Sequence, residues 1–229
     1  MSEKWLILET SGRVARVGLA RAGAVVQAVS LDTARRHARE MIPTVDAMLK
    51  AEGLKPTDLT GIVVSRGPGS YTGLRVGLAT AKALAYATGC QLRAVDTFAA
   101  IAEQAPAEAD RLWVIADALQ GQLYLQRFAR ADGSGWAPVA PLLIDGEGEW
   151  LPWAAAGTYI SGPGVTVYES RILASNPRVA EADREARVES VLAVGLRLPP
   201  LTREELFALE PLYLRGSSAE EKAKEQPRG

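Results

Sequence analysis

The chain has 229 residues, enough for one large or two small domains with a proper core. A hydrophobic share of 48% and a charged share of 23% are ordinary for a globular protein, and a formal net charge of −1 leaves no global basic field to draw nucleic acid. The single cysteine, Cys90, excludes an internal disulfide framework and fits a reducing compartment. No stretch is laid out as a leader or a membrane span, so a cytoplasmic protein with no membrane partner is expected.

Lys4 to Glu9 is apolar and reads as an interior strand. Thr10 to Arg13 supplies a turn, Val14 to Ala20 a hairpin partner, and Ala24 to Leu31 a third strand of an antiparallel meander. From Arg36 to Glu52 the period becomes helical, with Met41, Ile42, Val45, Met48 and Leu49 on one face. Pro43 should kink this helix or mark its real start. Gly61 to Val64 is a short buried strand, followed by the loop Ser65 to Arg75 and a helix from Leu74 to Thr88 closed by Gly89.

That strand, Gly-rich loop and helix form the centre of the chain. Gly67 and Gly69 permit angles or close approaches that a Cβ forbids, and Pro68 stiffens the turn between them. Such loops aim N–H groups at a phosphate or carboxylate near a helix N-terminus, but the same pattern also suits a tight turn with no ligand. It lacks the Gly-Lys-Ser/Thr spacing of a Walker A loop. Along the helix, Gly73, Gly77, Ala81 and Ala85 recur every fourth residue and make a stripe of small side chains that lets another helix approach closely. That packing is either internal or intermolecular.

Gln91 to Val95 is a strand and Thr97 to Gln104 a short helix, opened by Asp96 or Thr97. Ala105 to Asp110 is the best candidate linker. Strand runs then restart at Arg111 to Ala118, Gly121 to Ala129 and Pro138 to Ile144, echoing the first half and suggesting a duplicated two-domain α/β protein. Thr158 to Ser161 is a further strand with Gly162-Pro163-Gly164 behind it. Val188 to Leu198 and Thr202 to Ala208 read as helices, and from Gly216 the polar, charged tail is expected to be disordered.

Several of these residues resemble the bacterial TsaB (YeaZ) family. They are Ile7-Leu8-Glu9-Thr10-Ser11, His37, the nine-residue run Gly67 to Arg75, Asp117 followed by Gly121-Gln122-Leu123-Tyr124, and Pro211 to Arg215. The resemblance is dense over residues 4–125 and thin from there to Pro211, and Glu9 stands where the family usually has Asp. It implies a two-domain, actin-like or sugar-kinase-like (ASKHA) α/β fold with duplicated mixed sheets flanked by helices. Residues 1–104 would form the N-terminal subdomain with the partner-binding helices, 105–215 the C-terminal one and 216–229 the tail. It also implies a non-catalytic role beside the threonylcarbamoyltransferase TsaD and the ATPase TsaE. That role lies in forming N6-threonylcarbamoyladenosine at position 37 of tRNAs that read codons beginning with A. A homodimer in the absence of the partner, tRNA contact only through the complex, and ATP used by the wider complex rather than by this chain alone complete that expectation.

The residues themselves give little purchase for independent catalysis, and no catalytic residue is assigned. His37 is the sole histidine and is followed four residues later by Met41, a pair too poor to hold a metal, which argues against a metalloprotease. An actin-like small-molecule ATPase or kinase is the alternative. Its first phosphate turn would be Glu9-Thr10-Ser11-Gly12, but the matching turn Asp117 to Gly121 carries bulky Leu119 and Gln120, and Pro163 lacks an N–H. The assigned positions are therefore Glu9, Thr10, Ser11, Gly67, Gly69 and Ser70 for a vestigial or shared nucleotide or phosphate site. A partner interface is assigned to His37, Met41, Val45, Gly73, Arg75, Gly77, Ala81 and Ala85.

Overall fold

The computed structural model describes residues 2–31, 37–131, 135–146 and 155–212. The tail 216–229, Tyr213 to Arg215, Trp150 and Trp153 lie outside the described residues. The first sheet comprises β1 (Lys4–Glu9), β2 (Ala15–Arg21), β3 (Ala24–Leu31), β4 (Gly61–Gly67) and β5 (Gln91–Asp96), in the order β3-β2-β1-β4-β5. The meander β1 to β3 is antiparallel, as its short turns require, whereas β4 and β5 run parallel to β1 because helices cross over between them.

Those crossovers are α1 (His37–Ala51) and α2 (Tyr71–Thr88), which share one face of the sheet. Met41, Val45, Met48 and Leu49 of α1 and Leu78, Ala81 and Ala85 of α2 bury against Leu6, Leu8, Val17, Ile62 and Val64. Pro43 lies inside a continuous α1 and therefore marks neither its start nor its end. The start of α2 comes earlier than Leu74, because the Ser70 hydroxyl accepts the Gly73 N–H at 3.2 Å and caps a first turn of Tyr71-Thr72-Gly73.

The second sheet repeats the scheme. β6 (Arg111–Leu119) and β7 (Gln122–Ala131) form an antiparallel pair, and β10 (Tyr159–Ser161) adds parallel to β6. The strand expected over Pro138 to Ile144 is instead two short ones, β8 (Gly135–Pro138) and β9 (Leu143–Gly146), each antiparallel to a different end of β7. Pro138 and Pro141 lack the N–H groups that a continuous ladder needs. A short α4 (Gly164–Tyr168) covers the outer face through Val165 and Tyr168, packed on Ile115, Leu123 and Leu125.

Between the sheets lie α3 (Thr97–Ala102) and α5 (Val188–Arg197). Trp5, Ile7, Val63 and Val95 from the first sheet and Leu112, Val114 and Phe128 from the second meet Phe98, Ile101, Val191 and Leu192 in one continuous core. α5 therefore packs on the first sheet although it follows the second in sequence. The chain then continues along the first half. The Leu201 N–H donates to the Leu92 carbonyl at 2.8 Å, and α6 (Arg203–Ala208) follows, capped by Thr202 and Glu205. Leu209 is buried in the core beneath α1 and α2. Among the described residues, no helix is long and apolar enough to cross a membrane.

Candidate functional site

Because β1, β4 and β5 are parallel, their C-terminal ends meet at one edge of the first sheet, where α/β folds leave a crevice for ligands. Glu9, Thr10 and Ser11 leave β1 there, and the loop from Arg66 to Ser70 leaves β4 beside them. All six residues assigned to the phosphate-type site, Glu9, Thr10, Ser11, Gly67, Gly69 and Ser70, are thereby brought to one place. The two loops interlock. The Ser70 N–H donates to the Ser11 carbonyl at 2.7 Å, and a Cβ built on Gly69 would stand 2.4 Å from that same oxygen. Gly69 is thus required by the approach of one loop to the other.

Glu9 and Thr10 are 1% and 0% exposed, and Ser65 on β4 is as deeply buried. The Ser11 N–H donates to Glu9 Oε1 at 2.7 Å, and the Ser11 hydroxyl bonds to the same oxygen. The Thr10 N–H donates to the Ser65 hydroxyl at 3.2 Å. Among the described residues, Glu9 Oε2 and Thr10 Oγ1 have no hydrogen-bond partner. Burial pushes the Glu9 carboxyl above its ordinary value, and the bonds from Ser11, the Ser65 hydroxyl and the charge of Arg16 only partly oppose this. The Ser11 N–H and hydroxyl thus converge on Oε1 alone, on the side of Glu9 that faces the loop.

Two supporting pairs escape a motif-based reading. Arg16 is the register partner of Glu9 across β1 and β2, yet its guanidinium donates to Glu185 Oε2 at 2.8 Å and to the Ala186 carbonyl at 3.4 Å. Its signal in the sequence is a charge set between Ala15 and Val17 in an otherwise apolar stretch running to Ala20. Arg66 Nε donates to Asp96 Oδ1 at 2.5 Å, so Asp96 caps α3 without a side-chain bond to it. The Leu212 N–H donates to the Arg66 carbonyl at 2.7 Å, laying the C-terminal segment against the Gly-rich loop. Beyond Arg16 a cavity of about 240 Å³ is lined by Ser30, Glu185, Arg187 and Glu189; both of its arginines are ion-paired, Arg187 with Asp183 at 2.5 Å.

In the second half, the turn after Asp117 is internally committed. Asp117 Oδ1 accepts the Leu119 N–H at 2.8 Å and the Tyr168 hydroxyl at 3.4 Å. Leu119 and Gln120 both take left-handed angles, with φ of 64° and 53°. The Gly162 turn sits on the β6 backbone, since a Cβ there would lie 2.2 Å from the Ile115 carbonyl oxygen. Among the described residues there is no group of three or more His, Cys, Asp and Glu side chains placed to hold a metal.

The residues assigned to a partner face need correction. Met41, Val45, Gly73, Gly77, Ala81 and Ala85 are all buried inside the chain, four of them against the first core and Gly73 and Gly77 against Thr10. Four-residue spacing marks one face of a helix without saying which way that face points. Of the assigned set Arg75 is exposed, over the Tyr71 ring, and the His37 side chain lies outside the described residues. The outward face of α2 is a second small stripe, Thr72, Arg75, Ala79, Ala83 and Ala87 with Tyr86, and α1 beside it exposes Ile42, Pro43, Asp46 and Ala47.

The family model described as TsaD: tRNA N6-adenosine threonylcarbamoyltransferase matches residues 29–141. The tRNA threonylcarbamoyladenosine biosynthesis protein TsaB of Bacillus subtilis is 30% identical over 128 residues, covering 56% of each chain. TsaB of Escherichia coli is 29% identical over 134 residues, covering 54% of this chain and 58% of that one. The matched region thus spans little more than half the length of these relatives. A Pseudomonas aeruginosa crystal structure described as similar to peptidase YEAZ covers 93% of this chain and all of its own, at 25% identity and a TM-score of 0.77. YeaZ of the same organism gives the same TM-score at 24% identity.

Two mixed sheets, each an antiparallel meander with a parallel strand added beside its first member and each flanked by helices, together with these likenesses, define an actin-like (ASKHA) fold. Within that class, the chain is similar in sequence and fold to proteins named TsaB or YeaZ.

Proposed function

We propose that the chain acts in forming N6-threonylcarbamoyladenosine at position 37 of tRNAs reading codons that begin with A, as a non-catalytic partner and activator of a TsaD threonylcarbamoyltransferase. The observation that carries this reading is the likeness to relatives named TsaB over the first half, the half that holds α1 and α2. The outer faces of these helices offer small, weakly charged side chains suited to close helix-to-helix contact. A structurally similar paralogue can occupy the same face as a second copy of this chain, so a homodimer and the complex would compete. The ATPase TsaE and the tRNA would join through that complex, with ATP used by the assembly in a cytoplasmic setting. Residues 1–104 and 105–215 would be the two subdomains, with α5 and α6 returning to the first.

The alternative, an actin-like small-molecule ATPase or kinase, is favoured by the convergence of the Glu9 and Gly67 loops at one sheet edge. The turns at Asp117 and Gly162, both committed to internal contacts, oppose it. The test measures ATP turnover by the purified chain and modified adenosine in tRNA, with and without a TsaD-family paralogue. Product only with the paralogue supports the partner role; ATP turnover by the chain alone supports the enzyme.

A further inference from the structure

We infer that α2 couples its outer, partner-facing side to the Glu9–Ser11 loop, so that docking on one tightens the other; this rests on the reading of α2 as a partner helix. The carbonyl oxygen of Thr10 faces Gly73 and its Oγ1 faces Gly77, where an added Cβ would lie 2.1 and 2.2 Å away. Thr10 is fully buried, its N–H is tied to Ser65, and among the described residues Oγ1 has no hydrogen-bond partner, so the side chain is seated by contact with the helix. A third tie is the N-cap residue itself, since the Ser70 N–H donates to the Ser11 carbonyl. No side chain of α2 separates its backbone from Thr10. Close-packed contacts of this kind transmit displacement instead of absorbing it.

On the opposite side of the same turns, Thr72, Arg75 and Ala79 are exposed. A single helix thickness therefore separates a partner seated there from the loop that carries Glu9. A partner that fixes α2 narrows the positions open to Thr10 and Ser11, and by reciprocity an ordered loop favours the partner.

Hydrogen exchange on the full chain, alone and with a TsaD-family paralogue, tests this. Protection should rise in α2 and also at residues 10–13, the latter by about fivefold or more, the low end of ordinary site-to-site coupling. Thr10→Ala removes the contact at Gly77 without breaking a hydrogen bond. In that variant α2 should still gain protection while the loop gains markedly less. Protection of α2 with an unchanged loop overturns the coupling and leaves the partner role standing, as does a T10A loop that gains as much as the wild type. Absence of any complex, with α2 unprotected, overturns both.

Discussion

Glu9 is the residue whose chemistry the fold alters most. Its folded-state pKa lies above the unfolded value of 4.5, so the folded chain binds the extra proton between the two values. Stability must therefore fall as pH rises through that window and level off above the folded value. Each pH unit of separation is worth about 1.4 kcal/mol. Glu9→Gln, measured by denaturant unfolding across the same range, should lack this decline; parallel profiles for the two proteins would refute the upward shift of the carboxyl. At Gly73 an added methyl would press on a backbone oxygen, so Gly73→Ala should cost about 1–3 kcal/mol despite the better helix propensity of Ala. An unchanged melting temperature would show that α2 slides freely past Thr10. The four-residue recurrence of Gly73, Gly77, Ala81 and Ala85 was legible in the sequence. Its inward direction was not, because Ala79 and Ala83 form an equally small stripe on the other side.

Among the elements, the C-terminal segment has the least obvious role. Lys82 Nζ donates to the carbonyls of Phe207 and Leu209 at 2.9 and 3.0 Å, and the Tyr86 and Phe207 rings meet edge-on at 5.8 Å. The segment thus closes the core at the end of α2. Leu209→Ala should cost about 2–3 kcal/mol in a thermal melt, as expected of a buried leucine. A cost near zero would mean that the segment is only laid on the surface. The strands and helices of the first half were readable from period and turn residues. The split of Pro138 to Ile144 was signalled by its two prolines, whereas the cap at Ser70 competed with Leu74, the first strongly apolar residue of α2.

At the scale of the molecule, the two sheets share one core through α3 and α5. The duplication was visible as two runs of strands. The return of α5 to the first sheet was hidden, because an apolar helix announces burial but not against which sheet. It follows that residues 1–104 alone leave Trp5, Ile7 and Val63 without α5 and should not fold stably. Trp5 is the only tryptophan in that fragment and is 1% exposed in the whole chain, so its fluorescence should shift to the red. A blue-shifted, cooperatively melting fragment would contradict the shared core.

The proposed partner role places the outer face of α2 against a TsaD-family paralogue. Ala79→Arg alters only an exposed position on that face and should leave the melting temperature unchanged. The decisive measurement is the modified adenosine formed on tRNA by the paralogue with the wild-type chain, with this variant, or with neither. Product should form with the wild type and fall by about tenfold with the variant, equivalent to about 1.4 kcal/mol of association. Wild-type product levels with the variant, or product from the chain without the paralogue, would contradict that role.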